Sequence, residues 1–218
     1  VKQSLAQVQD EGSQVIARAL AEAPTNGQDS GRWLDLCAGP GGKAALLGGL
    51  ARVDGARVDA VEPAAHRAAL VEKSCEGLPV DVHVADGRDS GLAKGYDRIL
   101  VDAPCSGLGA LRRRPDARWR KQESDIDELT GLQYALASAA LDLLRPGGVM
   151  VYSTCSPDLR ETRGIVDQLL KNNQGQVEEL DAHPLACGME DLGRYPSVQM
   201  WPHKHGTDAM FFSVLRKL

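Results

Sequence analysis

Aromatic side chains are scarce in this sequence, close-set cysteines and long apolar runs are missing, and positive charge is not in excess. Aromatics make up 4% of the 218 residues, so broad stacking surfaces are excluded. No run of eighteen apolar residues occurs, which excludes a helical membrane span. The five cysteines (37, 75, 105, 155 and 187) are odd in number and widely spaced, with no C-x-x-C pair. That spacing argues against a structural zinc site and a disulfide framework. A reducing, cytoplasmic setting without metal is expected. Twenty-five basic residues face thirty acidic ones, for a net charge of -5 and a pI near 5.6. Nothing in that balance announces nucleic-acid binding. The start, Val1-Lys2-Gln3-Ser4, is polar, has no initiator Met and does not read as a signal peptide. It suggests a piece of a longer protein with a further domain upstream.

What is present is ordinary for a globular domain: 43% hydrophobic and 25% charged residues. A chain of this length can bury a sizeable core. Strand-like apolar runs alternate with helical patterns. Residues 10–23 read as a helix, with Val15, Ile16, Ala19 and Leu20 at helical spacing. Residues 24–31 read as a linker, rich in Gly, Asn, Asp and Ser. Strands are predicted over 32–36, 57–61, 80–85, 96–101 and 149–153. Helices are predicted from the glycine loop through Leu50 and over 64–74, 124–144 and 158–172. Ser124, with Asp127 three residues on, marks the start of the long one. Residues 177–180 and 209–215 read as closing strands. Five βα units in succession predict an α/β fold, a doubly wound, mostly parallel sheet with helices on both faces.

The chemistry-bearing residues fall at the carboxyl ends of the predicted strands, where open α/β sheets bind ligands. After the first strand, Cys37-Ala38-Gly39-Pro40-Gly41-Gly42-Lys43 leads into a helix N-terminus. Such a loop lets backbone approach a phosphate or the amino-acid part of S-adenosylmethionine (SAM), although a plain tight turn looks similar. A Walker A loop is excluded, because Cys37 and Ala44 stand where its first Gly and its Ser/Thr would be. The dinucleotide fingerprint fails at Pro40. Glu62 follows the second strand, where a carboxylate can accept both ribose hydroxyl protons. Asp86 follows the third and could bind an adenine amino group. Asp102-Ala103-Pro104-Cys105 and Ser153-Thr154-Cys155-Ser156-Pro157 each put a thiol at a strand end. A helix start lowers a thiol pKa, and Cys155 precedes one, yet a free Cys is commonly just buried packing. From Arg112 to Lys121, six basic residues surround one acid, Asp116. Arg112, Arg113, Arg114 and Arg118 are candidates to grip phosphates, and Trp119 could stack on a base. His203, His205 and Asp208 in the tail suit no common metal pattern.

Several of these stretches, in this order, resemble the Sun/Nop family of RNA 5-methylcytosine methyltransferases. They are Gln9-Asp10-Glu11-Gly12-Ser13, residues 35–43, Asp102-Ala103-Pro104-Cys105-Ser106-Gly107, Arg114-Pro115-Asp116, Tyr152-Ser153-Thr154-Cys155-Ser156, and Pro202-His203 with Gly206-Thr207-Asp208. The pattern is most similar to the bacterial Sun-type (RsmB) enzymes that modify small-subunit ribosomal RNA. Three positions depart from it: Gly39 stands where Ala is usual, Ala209 replaces a Gly, and Arg163 replaces a second acid after Glu161.

The resemblance implies a Rossmann-like SAM-dependent methyltransferase fold. It implies a catalytic domain over 31–218, with an N-terminal helix and linker (1–30) packed on it and an upstream RNA-binding domain not included. It implies SAM as cofactor, held by residues 37–43, Glu62, Asp86 and Asp102. It implies RNA, in particular ribosomal RNA, as partner of a monomer. It assigns Cys155 as nucleophile, Cys105 to product release, and Asp102 to stabilising charge at ring nitrogen 3 of cytosine. From the residues alone either thiol could be the nucleophile. The competing readings are a tRNA cytosine methyltransferase, a DNA cytosine methyltransferase using Cys105 alone, and a non-catalytic RNA-binding module that keeps the fold. A nicotinamide oxidoreductase is weakened by the broken fingerprint.

Overall fold

Continuous burial along the central strands, apolar on both faces, draws them into one mixed sheet. The computed structural model describes residues 8–218. Its strands are β1 (Arg32–Asp35), β2 (Arg57–Val61), β3 (Val80–His83), β4 (Tyr96–Asp102), β5 (Leu144–Thr154), β6 (Val177–Leu180), β7 (Val198–Gln199) and β8 (Phe211–Lys217). The order is β3-β2-β1-β4-β5-β8-β6, with β7 paired to β8. β1 to β5 are mutually parallel. β8 runs antiparallel to β5, β6 and β7. Strand order reverses between β1 and β4, so a crevice opens beyond their carboxyl ends.

Helices cover both faces. On one, Ile16 and Leu20 of α1 (Glu11–Glu22) and Leu47 of α2 (Gly42–Asp54) pack on Trp33, Leu100, Val151 and Phe212. Val71 of α3 (Ala65–Ser74) joins Ala44 and Ala60. On the other, Leu136 and Ala140 of α4 (Glu123–Leu143) and Ile165 and Leu169 of α5 (Arg163–Asn172) pack on Leu34, Ile99, Val101 and Tyr152. Each fully buried Leu or Ile side chain stabilises the fold by roughly 1.5–3 kcal/mol. Among the described residues no helix is long and apolar enough to cross a membrane.

Differences from the predicted boundaries have local causes. Asp10 caps α1 by accepting from the Gly12 amide at 3.1 Å, so the predicted start at residue 10 is the cap itself. α4 begins before Ser124, because the Gln122 amide donates to the Asp125 carboxylate at 3.0 Å. α5 begins five residues later than predicted. Residues 158–162 form a turn in which the Asp158 carbonyl accepts from the Glu161 amide and the Thr162 hydroxyl. β5 extends back through Pro146-Gly147-Gly148, with an irregular register between Tyr96 and Arg98 of β4. The segment 24–31 is pinned at several points. Arg145 donates to the Asn26 and Gln28 carbonyls, Arg98 pairs with Asp29, and buried Asp97 accepts from Ser30.

Candidate active site

The loop after β1 is shaped by what lies under it. Ala38 N–H bonds to the Val61 carbonyl at 2.9 Å and Gly41 N–H to the Ala38 carbonyl at 2.7 Å. Gly41 has φ 111°, and a Cβ there would stand 2.8 Å from the Ser74 Cβ. A Cβ on Gly39 would collide with the Glu62 carboxylate and the Arg67 guanidinium. The backbone therefore lies directly on the carboxylate at the tip of β2. Glu62 is buried, accepts from the Ala64 amide at 3.0 Å and stands 3.5 Å from Arg67 Nε.

A cavity of about 680 Å³ opens beside this loop, lined by Cys37, Gly39, Pro40, Glu62, Asp86, Asp102, Cys105, Arg114 and Cys155 among others. That volume suits a ligand of nucleoside size. The crowded Gly39, with carboxylates at the ends of β2 and β4 and just beyond β3, fits the hydroxyls and amino groups of SAM. Four of the predicted cofactor residues stand elsewhere. Ala38, Gly41, Gly42 and Lys43 do not line the cavity. Ala38 is buried beneath the loop, Gly41 caps α2, and Lys43 turns toward β4. Asp86 is on the wall but faces Arg88, which holds its carboxyl down at about 2 through a 2.6 Å ion pair.

Asp102, at the end of β4, is the junction between the cofactor side and the thiols. Its Oδ2 accepts from Lys43 Nζ at 2.6 Å and its Oδ1 from the Ser153 hydroxyl at 2.9 Å. Lys43 Nζ also reaches Ser13 Oγ at 3.3 Å. Burial is the largest single influence and lowers the Lys43 pKa, but the charge and hydrogen bond of Asp102 with the charges of Asp35 and Cys155 together outweigh it, and the net shift is upward. Sequence reasoning placed Lys43 on the cofactor and missed its pairing with Asp102, 59 residues on. The motif 9–13 carried the one signal, a Ser with no assigned task.

Cys105 and Cys155 meet with their sulfurs 3.3 Å apart, both as free thiols. The hydrogen bond between them raises Cys105 well above its ordinary pKa, with burial acting the same way. The same bond lowers Cys155, and Lys43 adds to that against burial and the Asp102 charge. Gly109 stitches the two loops. Its N–H donates to the Cys155 carbonyl at 2.9 Å, and its carbonyl accepts from the Ala209 amide at 2.9 Å. Cys37 is pushed well above the usual thiol range by burial and by Asp35.

The basic segment divides in two by the partners that its arginines find. Arg113 forms a paired contact to fully buried Asp208, with Nη2 2.5 Å from Oδ2. Arg112 reaches Asp10 at 3.2 Å and Asp208 at 3.5 Å. Two buried carboxylates thus hold both guanidiniums. Arg114 lines the cavity, and Arg118 lies 6.0 Å from the ring of Trp119, which is 83% exposed. In the tail, His205 is used structurally, accepting from the Trp201 amide at 2.8 Å and reaching the Glu190 carbonyl. Arg163, the departure from the family pattern, pairs with Asp167 and Glu179.

A parallel sheet with its order reversed at β1 and β4, a glycine loop over a β2 carboxylate, and further carboxylates beyond β3 and β4 define a Rossmann-like SAM-dependent methyltransferase. The chain belongs to the 16S rRNA methyltransferase RsmB/F family, whose sequence model matches residues 18–216. It is 58% identical over 219 residues to a Mycobacterium tuberculosis protein whose name assigns it to the methyltransferases without a substrate, covering 100% of the chain and 47% of that protein. It is 36% identical over 215 residues to ribosomal RNA small subunit methyltransferase B of Erwinia tasmaniensis, covering 96% and 46%. A crystal structure of NSun6 from Pyrococcus horikoshii with SFG superposes with a TM-score of 0.81 at 27% identity, covering 96% of this chain and 52% of that one. The chain spans about half the length of the curated relatives it matches.

Proposed function

We propose that this chain transfers a methyl group from SAM to carbon 5 of a cytosine in RNA, small-subunit ribosomal RNA being the substrate that its family supports. The observation that carries the reading is the 3.3 Å approach of Cys105 and Cys155 on the wall of the cavity that also holds the glycine loop and Asp102. An enzyme that used Cys105 alone would have no use for a second thiol with a lowered pKa at that distance.

Carbon 5 of cytosine is a poor nucleophile until a thiolate adds to carbon 6. Cys155 is the thiol whose surroundings favour the thiolate. Its sulfur bonds to carbon 6, and the electron pair of the ring double bond moves to carbon 5. Asp102, which accepts a hydrogen bond from Lys43 Nζ at 2.6 Å, is assigned to relay a proton from Lys43 to ring nitrogen 3, where charge collects. When bound, the cofactor supplies an electrophilic methyl group. Glu62 and Asp86 would hold its ribose hydroxyls and adenine amino group, and the Gly39 backbone its amino-acid part. The carbon 5 proton then passes to a solvent base, the electron pair of that carbon–hydrogen bond re-forms the double bond, and the pair of the carbon–sulfur bond returns to Cys155. Cys105 is assigned to this release. A paired target would have to be flipped out, whereas an unpaired one costs less.

The test is transfer of labelled methyl from SAM to an unmodified small-subunit rRNA transcript, followed by nucleoside analysis. Label in 5-methylcytidine is expected. Label on another nucleoside, or none from a protein that binds SAM, would contradict the reading.

A further inference from the structure

Behind the Cys105 loop lies a buried carboxylate that the chemistry above does not use. Glu161 is fully buried and forms no ion pair among the described residues. Arg163, two residues on, is taken by Asp167 and Glu179. Taking a carboxylate out of water without a cation is costly, and an apolar side chain of similar size would fill the space more cheaply. Glu161 is held instead by three neutral donors. They are the Ser106 amide at 2.7 Å, the Ser106 hydroxyl at 2.5 Å and the Gln133 amide nitrogen at 3.0 Å.

These donors tie down both neighbours of one thiol. The same Gln133 nitrogen donates to the Pro104 carbonyl at 2.9 Å, so Pro104 and Ser106, flanking Cys105, are both tied to one hub. The hub belongs to the segment that follows Cys155. The Ser106 hydroxyl also lies 3.3 Å from the Ser156 hydroxyl, and the Tyr152 hydroxyl donates to the Glu161 carbonyl at 2.8 Å. The loops of the two thiols are thus fastened through one side chain.

We propose that Glu161 is a positioning residue: it fixes Cys105 against Cys155 so that Cys105 keeps its proton and Cys155 is the reactive thiol. Cys155, Tyr152 and Glu161 all bear on Cys105, and the negative charge of Glu161 favours the protonated thiol while the Gly107 amide opposes it. Cys155 faces Asp102, Lys43, Asp208 and Arg113 as well. The consequence for methyl transfer rests on the two-cysteine reading, but the thiol placement can be tested without RNA or cofactor.

The experiment is alkylation of the folded protein by iodoacetamide from mildly acidic to alkaline pH, with each cysteine followed by mass spectrometry. In the wild type, Cys155 should react faster than Cys105 at neutral pH, by about threefold or more, because a larger share of it is thiolate even though a lower pKa tempers its nucleophilicity. In Glu161→Ala the ratio should fall toward unity. In Glu161→Gln, which keeps an acceptor for Ser106 but loses the charge, it should fall part of the way. If Glu161→Ala does not fold by circular dichroism, Glu161→Gln and Ser106→Ala carry the same test. A Cys155-to-Cys105 ratio unchanged in the folded variants overturns the proposal. A wild type that reacts first at Cys105 would reverse the nucleophile assignment, and the change on altering Glu161 would still decide this inference.

Discussion

Asp35, under the glycine loop, is fully buried with one carboxylate oxygen lacking any partner. Burial first, then the nearby Asp102 charge, raises its pKa from 3.8 to about 7. The folded state therefore binds more protons than the unfolded chain between those values, and stability falls as pH rises through that window. Asp35→Asn should remove the slope, gaining on the order of a few kcal/mol over wild type on the alkaline side. Thermal melts across pH check this, and parallel profiles for the two proteins would contradict it. Single residues were legible in sequence where a motif is local. Cys105 with Asp102, Cys155, Glu62 and Asp86 each follow directly on an apolar run that ends at the sheet edge. Lys43 with Asp102 and Glu161 with Ser106 were not legible, because each pair joins segments more than fifty residues apart. No periodicity links such partners, and only folding brings them together.

At the scale of elements, the basic segment after Cys105 was legible as a run of charge, but the ion pairs of Arg112 and Arg113 within the fold were not. Charge runs show sign but not partner, and the partner of Arg113 is an acid 95 residues away. Arg113→Ala should leave buried Asp208 short of donors and cost about 1–3 kcal/mol. Denaturant unfolding would register that loss, while the salt dependence of RNA binding should stay the same. Gly109 is the tightest point of the same segment. A Cβ there would overlap the Ala209 carbonyl and come within 2.8 Å of the Cys155 carbonyl. Gly109→Ala should destabilise the protein by about 1–3 kcal/mol and slow any reaction at Cys155. A melting temperature equal to wild type would show that the loop accommodates the methyl group.

For the whole molecule, five βα units sufficed to predict the parallel sheet and the edge at which the cavity opens. The antiparallel insertion of β8 between β5 and β6 was not readable, because strand direction leaves no mark in composition. β7, two residues long, is too short to show a period. With a net charge of -5, we propose that RNA is met by a local patch composed of Arg114, Arg118 and exposed Trp119. Replacing Arg114 and Arg118 with Ala should reduce the salt slope of single-stranded RNA binding by about 1.4, at roughly 0.7 per phosphate contact. Trp119→Ala should weaken that binding by about 1–3 kcal/mol. A slope equal to wild type would remove the patch from the interface. The central claim is a covalent bond from Cys155 to RNA that Cys105 resolves. Its most direct measurement is a denaturing gel of protein incubated with substrate RNA and SAM, comparing Cys105→Ser, Cys155→Ser and the double variant. A protein–RNA adduct that accumulates in Cys105→Ser and is absent from the other two is predicted. An adduct that persists in Cys155→Ser and is lost in Cys105→Ser would contradict the account.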